Sequence, residues 1–143
     1  MMQMNKNRVL FLCTHNSIRS QMAEGLLNTI YGTRFEGFSA GTQPTEVSPY
    51  AVEVMKEIGI DITSHQSKSI NAFHGKEFDL VVTVCDSAQE TCPFYPGKKV
   101  IHKSFQDPLI ENKSIEDILD TFRKLRDEIK IWIETDLVKE ITD

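Results

Sequence analysis

Hydrophobic and polar positions change period along the chain, and the successive blocks read alternately as strands and helices. Arg8 to Leu12 is a short apolar run rich in Val, Leu and Phe, the pattern of one buried strand. A polar loop follows at once. Beyond it Met22, Ala23, Leu26, Leu27 and Ile30 recur on one helical face, which Gly32 closes. Phe35 to Ala40 reads as a second strand. Ser48 as N-cap, Pro49 at the first helical position and Gly59 past the end then bracket a helix carrying Val52, Met55 and Ile58. Phe78 to Val84 is a third strand and "KKVIHKSF" contains a shorter fourth. The last helix is the longest: Ser114 and Asp117 form a capping-box start, and Ile115, Ile118, Phe122, Leu125, Ile129 and Trp132 make its apolar stripe.

Strands that are apolar throughout and separated by helical patterns predict an α/β fold with a parallel sheet covered by helices on both faces. Four such strands are expected. No repeat, low-complexity tract or Gly/Pro-rich linker divides the chain, so residues 1–143 are expected to form a single domain. In sheets of this kind ligands bind beyond the carboxyl ends of the strands, which points to the loop after the first strand.

Composition narrows the function classes. At 143 residues and 40% hydrophobic content, one core can bury roughly two thirds of the unfolded chain's surface. The net charge of -5, with acidic and basic residues interleaved, offers no basic face for nucleic acid, and no apolar run is long enough for a membrane span. The opening "MMQMNKN" lacks the apolar stretch of a secretory signal, and three cysteines do not make a disulfide framework. A cytoplasmic protein with reactive thiols is the expectation.

The first strand ends on Cys13, and Arg19 stands six residues later where the helix begins, with "THNSI" between them. Backbone N–H groups of a loop that runs into a helix point at whatever occupies its mouth, and the helix dipole adds positive potential there. The same field favours the nucleophilic thiolate of a cysteine. Arg19 can grip two oxygens of a tetrahedral oxyanion through its planar fork, and Ser20 can donate a hydroxyl to the sulfur. Cys85 and Cys92, seven residues apart, admit three readings: zinc ligands with His74 or His102, inert core cysteines, or a redox pair able to supply two electrons. Asp107-Pro108 is a turn signal by itself.

Taken together, "CTHNSIRS" resembles the Cys-x5-Arg-Ser phosphate-binding loop of low-molecular-weight protein tyrosine phosphatases and of the thioredoxin-coupled arsenate reductases that share their fold. "SQMAEG", "SAG" at Ser39 to Gly41, "DLVVTVC" at Asp79 to Cys85, and Asp107-Pro108 extend the resemblance over nearly the whole chain. It implies that Thr14, His15, Asn16, Ser17, Ile18 and Arg19 hold an arsenate or phosphate oxyanion, that Cys13 is the nucleophile assisted by Ser20, and that Asp107 is the general acid. Cys85 and Cys92, the latter followed by proline, resemble the redox pair of the reductases, which implies arsenate reduction with thioredoxin as reductant and no cofactor. The phosphatases have no use for the pair, and they typically line the site with aromatics where Leu109 and Ile110 stand here. Hydrolysis of a phosphotyrosine or small phosphate ester through a phosphocysteine at Cys13, and a non-enzymatic anion or redox sensor, are the alternatives. Some of the reductases hold a potassium ion beside the loop. Asn16, Glu24 and Ser39 match its ligands, whereas Gln66 and Lys68 depart from the threonine and aspartate of those relatives, which leaves two readings of Lys68: an ammonium that supplies the missing positive charge to Glu24 and the loop, or a solvated surface lysine.

Overall fold

Val9, Leu10, Phe11 and Leu12 are all fully buried, which a strand sustains only when both faces of its sheet are covered. The computed structural model describes residues 6–86, 94–108 and 110–141 and places these four in β1 (Asn7–Cys13). Along the chain follow α1 (Arg19–Ile30), β2 (Phe35–Gly41), α2 (Pro49–Lys56), a 3₁₀ turn at Ile70–Phe73, β3 (Leu80–Thr83), β4 (Lys99–His102) and α3 (Ile115–Trp132). Among the described residues the four strands form one parallel sheet in the order β2-β1-β3-β4. The chain leaves β1 toward one edge and returns on its other side, so the strand order reverses between β1 and β3. The crevice above their carboxyl ends is where open α/β sheets bind ligands.

Alternation along β1 divides the interior in two. Val9, Phe11 and Cys13 face a large cluster with residues of α1, α2 and α3, while Leu10 and Leu12 face a smaller one with Ala40, Phe73, Phe78 and Val81. In the smaller layer the rings of Phe38, Phe73 and Phe78 meet edge to face, with centroids 5.5 to 5.8 Å apart, an arrangement favoured by their quadrupoles. Long helices thus cover one face, and the 3₁₀ turn with an aromatic cluster covers the other.

The helix starts sit where the capping residues predict: Ser48 accepts the Ala51 N–H at 3.5 Å and Ser114 that of Asp117 at 3.1 Å. The third strand is shorter than Phe78 to Val84, yet Asp79 N–H donates to Arg8 O at 2.9 Å and Val84 N–H to Leu12 O at 2.8 Å, so pairing with β1 runs past both its ends. Three expected core positions are exposed: Ile30, Ile58 and Ile115. Ile30 and Ile115 are terminal residues of α1 and α3, and Ile58 lies beyond the end of α2 at Lys56, so each apolar stripe outruns the layer that opposes it. The buried face of α2 is instead Ala51, Val54 and Met55.

Two contacts hold the site's frame. Glu57, which follows α2, takes Arg123 Nε at 3.0 Å on Oε1 and Arg123 Nη2 at 2.7 Å on Oε2, and Arg126 Nη1 reaches Oε1 at 3.0 Å, tying α2 to α3. The Arg123 guanidinium, with Arg126 beside it, holds the Glu57 carboxyl below the usual carboxylate range. Gly41 ends β2 directly opposite Cys13, where a Cβ would stand 2.5 Å from Thr14 O and 2.8 Å from Cys13 O. Backbone cannot yield there, so only glycine lets β2 close against the following loop.

Gly41→Ala should lower stability by about 1–3 kcal/mol, the usual cost of overpacking, read as a shifted denaturant midpoint. Glu57→Gln should lower the melting temperature at neutral pH. Because folding depresses the Glu57 pKa, its contribution is present above its ordinary value of 4.5 and is lost as pH falls through the lower folded value. The melting difference between the two proteins should therefore close in acid, which thermal scans from neutral to strongly acidic buffer will read.

Candidate active site

The loop from Thr14 to Ile18 joins the buried end of β1 to the start of α1, and its carbonyls all find partners outside it. Thr14 O accepts Gln43 N–H at 2.9 Å, His15 O accepts Ser67 Oγ at 2.8 Å, and Asn16 O accepts Gln21 Nε2 at 3.1 Å. Ser17 O accepts Ser48 N–H at 3.1 Å and Ile18 O accepts Met22 N–H at 2.9 Å. No described peptide bond is cis, and across a trans unit the N–H points opposite the C=O. The N–H groups of residues 15–19 therefore face the loop's own hollow. Ile18 caps α1 without a side-chain acceptor, so the helix presents its first N–H groups and its dipole to the same hollow. A tetrahedral oxyanion matches that arrangement.

Cys13 lies beneath the hollow, 2% exposed, as a free thiol. Ser20 Oγ stands 2.9 Å from its sulfur and accepts Asn16 Nδ2 at 2.8 Å. The Ser20 hydroxyl thus bridges the Asn16 amide and the Cys13 sulfur, and either partner of the Ser20–Cys13 contact can be its donor. Asn16 is fully buried with φ at 49°, a left-handed conformation that asparagine tolerates better than most residues. Its Oδ1 accepts Lys68 N–H at 2.8 Å and Gln21 Nε2 at 3.0 Å. Gln21 Nε2 also reaches Gln66 O at 2.9 Å, and Gln21 Oε1 accepts His65 Nδ1 at 2.9 Å, which assigns the ring proton to Nδ1.

Arg19 is 3% exposed and opens α1 at the rim of the hollow. Its Nη1 donates to Phe105 O at 3.2 Å, and its Nη2 stands 3.7 Å from Asp107 Oδ1. Phe105 N–H in turn donates to Val84 O at 3.3 Å, and the Phe105 ring packs edge-on to Trp132 with centroids 5.9 Å apart. Asp107, more than half exposed, sits at the mouth of a cleft of about 740 Å³ that Ile18, Ser48, Tyr50, Asp107 and Phe122 help to line. Cys85 is fully buried in the same core cluster as Cys13, two residues past the end of β3, the strand that pairs with β1.

The structure thus brings together Cys13, Thr14, His15, Asn16, Ser17, Ile18, Arg19, Ser20 and Asp107, with Cys85 alongside. Cys92 and Leu109 lie outside the described residues, and so does any pairing of Cys85 with Cys92. Several supporting groups went unrecognised in the sequence: Gln21, His65, the Phe105 carbonyl and the close approach at Gly41. The segments "SQMAEG" and "SAG" held Gln21 and Gly41 but said nothing of their roles.

Comparison with known proteins agrees with this geometry. The chain is 44% identical to the arsenate reductase of Halalkalibacterium halodurans over 133 residues, 92% of this chain and 96% of that protein. The arsenate reductase of Staphylococcus aureus strain N315 is 43% identical over 132 residues, again 92% and 96% of the two chains. Among solved structures, an arsenate reductase in its reduced state superposes with a TM-score of 0.76 at 30% identity, covering 95% of this chain and 99% of the other. The low molecular weight protein tyrosine phosphatase of T. tengcongensis superposes at 0.70, also at 30% identity, over 95% and 100% of the two chains. Residues 8–142 match the model of one family, and with it the buried cysteine, the inward-facing loop and the parallel sheet find a common account: the chain belongs to the low molecular weight phosphotyrosine protein phosphatase family.

Proposed function

We propose that the protein is an arsenate reductase of the cytoplasm, a single domain over residues 1–143 that needs no cofactor and takes its electrons from thioredoxin. The observation that carries this reading is Cys85, a second cysteine buried in the same core cluster as Cys13. A hydrolase that forms a phosphocysteine has water to regenerate its thiolate and no need of another sulfur. The similarity to proteins named arsenate reductases supports the same choice.

In the proposed cycle arsenate binds the N–H groups of the loop Thr14, His15, Asn16, Ser17, Ile18, with Arg19 clamping two of its oxygens. The Cys13 thiolate, held by the Ser20 hydroxyl, attacks arsenic. An oxygen leaves as water after taking a proton from Asp107, and an S–As bond forms with arsenic still pentavalent. Cys85 then attacks the Cys13 sulfur. The S–As bond breaks with its electron pair passing to arsenic, so arsenite departs reduced by two electrons and a Cys13–Cys85 disulfide remains. Cys92 attacks the Cys85 sulfur, which frees Cys13 as a thiolate and leaves a Cys85–Cys92 disulfide for thioredoxin to reduce.

One observation favours a second reading. A cleft of about 740 Å³ beside Asp107, with Tyr50 and Phe122 in its wall, exceeds what an inorganic oxyanion fills and suits a phosphate monoester with an organic group. Hydrolysis through a phosphocysteine at Cys13, with Asp107 protonating the leaving oxygen, is the corresponding chemistry.

Thioredoxin, its reductase, NADPH and arsenate together should support NADPH oxidation; an aryl phosphate assayed in parallel reads hydrolysis. Cys13→Ser should lose both activities. Cys85→Ser and Cys92→Ser should each stop arsenate-dependent turnover and leave ester hydrolysis largely intact. Loss of hydrolysis alone, with NADPH oxidation untouched, would refute the relay. Asp107→Asn should slow turnover by about 10²–10⁴-fold, the usual effect of removing a general acid, with oxyanion affinity nearly unchanged when measured by calorimetry.

A further inference from the structure

The resemblance of the loop to that of potassium-holding reductases invites a test of whether the residues here fit such an ion. They do not. Lys68 Nζ stands 3.8 Å from Glu24 Oε1 and donates to Gln66 O at 2.8 Å, so a carboxylate and a carbonyl suited to a monovalent cation already face an ammonium. Ser39 Oγ donates to Glu24 Oε1 at 2.5 Å, and Asn16 Oδ1 is occupied by the Lys68 and Gln21 N–H groups. On the other carboxylate oxygen, His65 Nε2 lies 3.7 Å from Glu24 Oε2. A potassium ion added here would meet engaged oxygens and a like charge.

We propose that the Lys68 ammonium is a tethered cation that does the work of a dissolved one: it neutralises Glu24, pins residues 65–68 over the loop and makes the active site indifferent to potassium. The backbone of Lys68 supplies the mechanical link. Its N–H bonds Asn16 Oδ1, and its C=O accepts Gly41 N–H at 2.9 Å, so the residue joins the end of β2 to the loop. Asn16 holds Ser20, and Ser20 holds Cys13. Glu24 follows Ser20 by one helical turn in α1, and its carboxylate is 14% exposed. Without a cation that charge would repel both the thiolate and an arriving oxyanion. Lys68 is a positioning residue, acting through Asn16 and Glu24. The proposal rests on Cys13 being the nucleophile, and not on arsenate being the substrate.

The test follows alkylation of Cys13 by iodoacetamide at fixed pH, read by mass spectrometry of the peptide that carries it, and inorganic phosphate affinity by calorimetry. Both are measured in KCl and in NaCl at constant ionic strength. The unmodified protein should give the same values in the two salts. Lys68→Met should slow alkylation and weaken phosphate binding by roughly threefold to tenfold, the range expected for one member of a shared hydrogen-bond network. Lys68→Arg should restore most of the loss, which a role in packing alone would not predict. Lys68→Asp should become faster in KCl than in NaCl. Potassium activation of the unmodified protein, or a Lys68→Met variant equal to it in both measurements, would overturn the proposal. Should phosphate fail to protect Cys13 in the unmodified protein, the nucleophile assignment falls, and the clamp falls with it.

Discussion

The structure turns on where the carbonyls of residues 14–18 find their hydrogen bonds. Each must be satisfied outside the loop if the N–H groups are to face its hollow; Gln21 and Met22 of α1 serve two of them, and three partners come from distant parts of the chain: Gln43 after β2, Ser48 at the start of α2, and Ser67. A loop with this many aligned dipoles is unfavourable alone, since its N–H groups converge on one point. It persists because surrounding elements hold it, and an anion in the hollow would relieve it. The site is therefore a property of the whole sheet edge.

The parallel sheet explains why the sulfur stands beneath that hollow. β1 is flanked by β2 and β3, so its last residue is buried from both sides and emerges at the one point where the strand order reverses. Cys13 needs no loop of its own to be positioned; strand pairing delivers it, and Ser20 and Asn16 then fix its surroundings. Arg19 is fixed from the opposite direction, through the Phe105 carbonyl and the strand-end bond from Phe105 N–H to Val84 O. Cys13 and Arg19 are thus anchored at different strand ends of one sheet, while Asp107 is more than half exposed beside them.

Much of this was legible in the sequence. Periodicity located the strands and helices, and Ser48 and Ser114 marked helix starts that the structure reproduces. The loop from Cys13 to Ser20 stood out because polar residues interrupt an apolar run at a strand end. Ile58 misled because the spacing of apolar residues continues past the point where α2 stops at Lys56. Gln21 and His65 were invisible for another reason: their contact joins residues 44 apart, and no local pattern encodes it. The Phe105 carbonyl carries no side-chain signal at all. Lys68 was readable only as a departure, and its meaning depends on a carboxylate that the fold brings to it from α1.

The chain has a single tryptophan, and it lies against Phe105 at the end of α3, 7% exposed. The residue that carries this ring is the same one whose carbonyl holds the Arg19 guanidinium. Indole emission responds to its immediate surroundings, so an optical signal native to the protein is coupled through Phe105 to the Arg19 guanidinium. A ligand that moved the Arg19 guanidinium would therefore register in ordinary fluorescence without a label, in a background free of any second tryptophan.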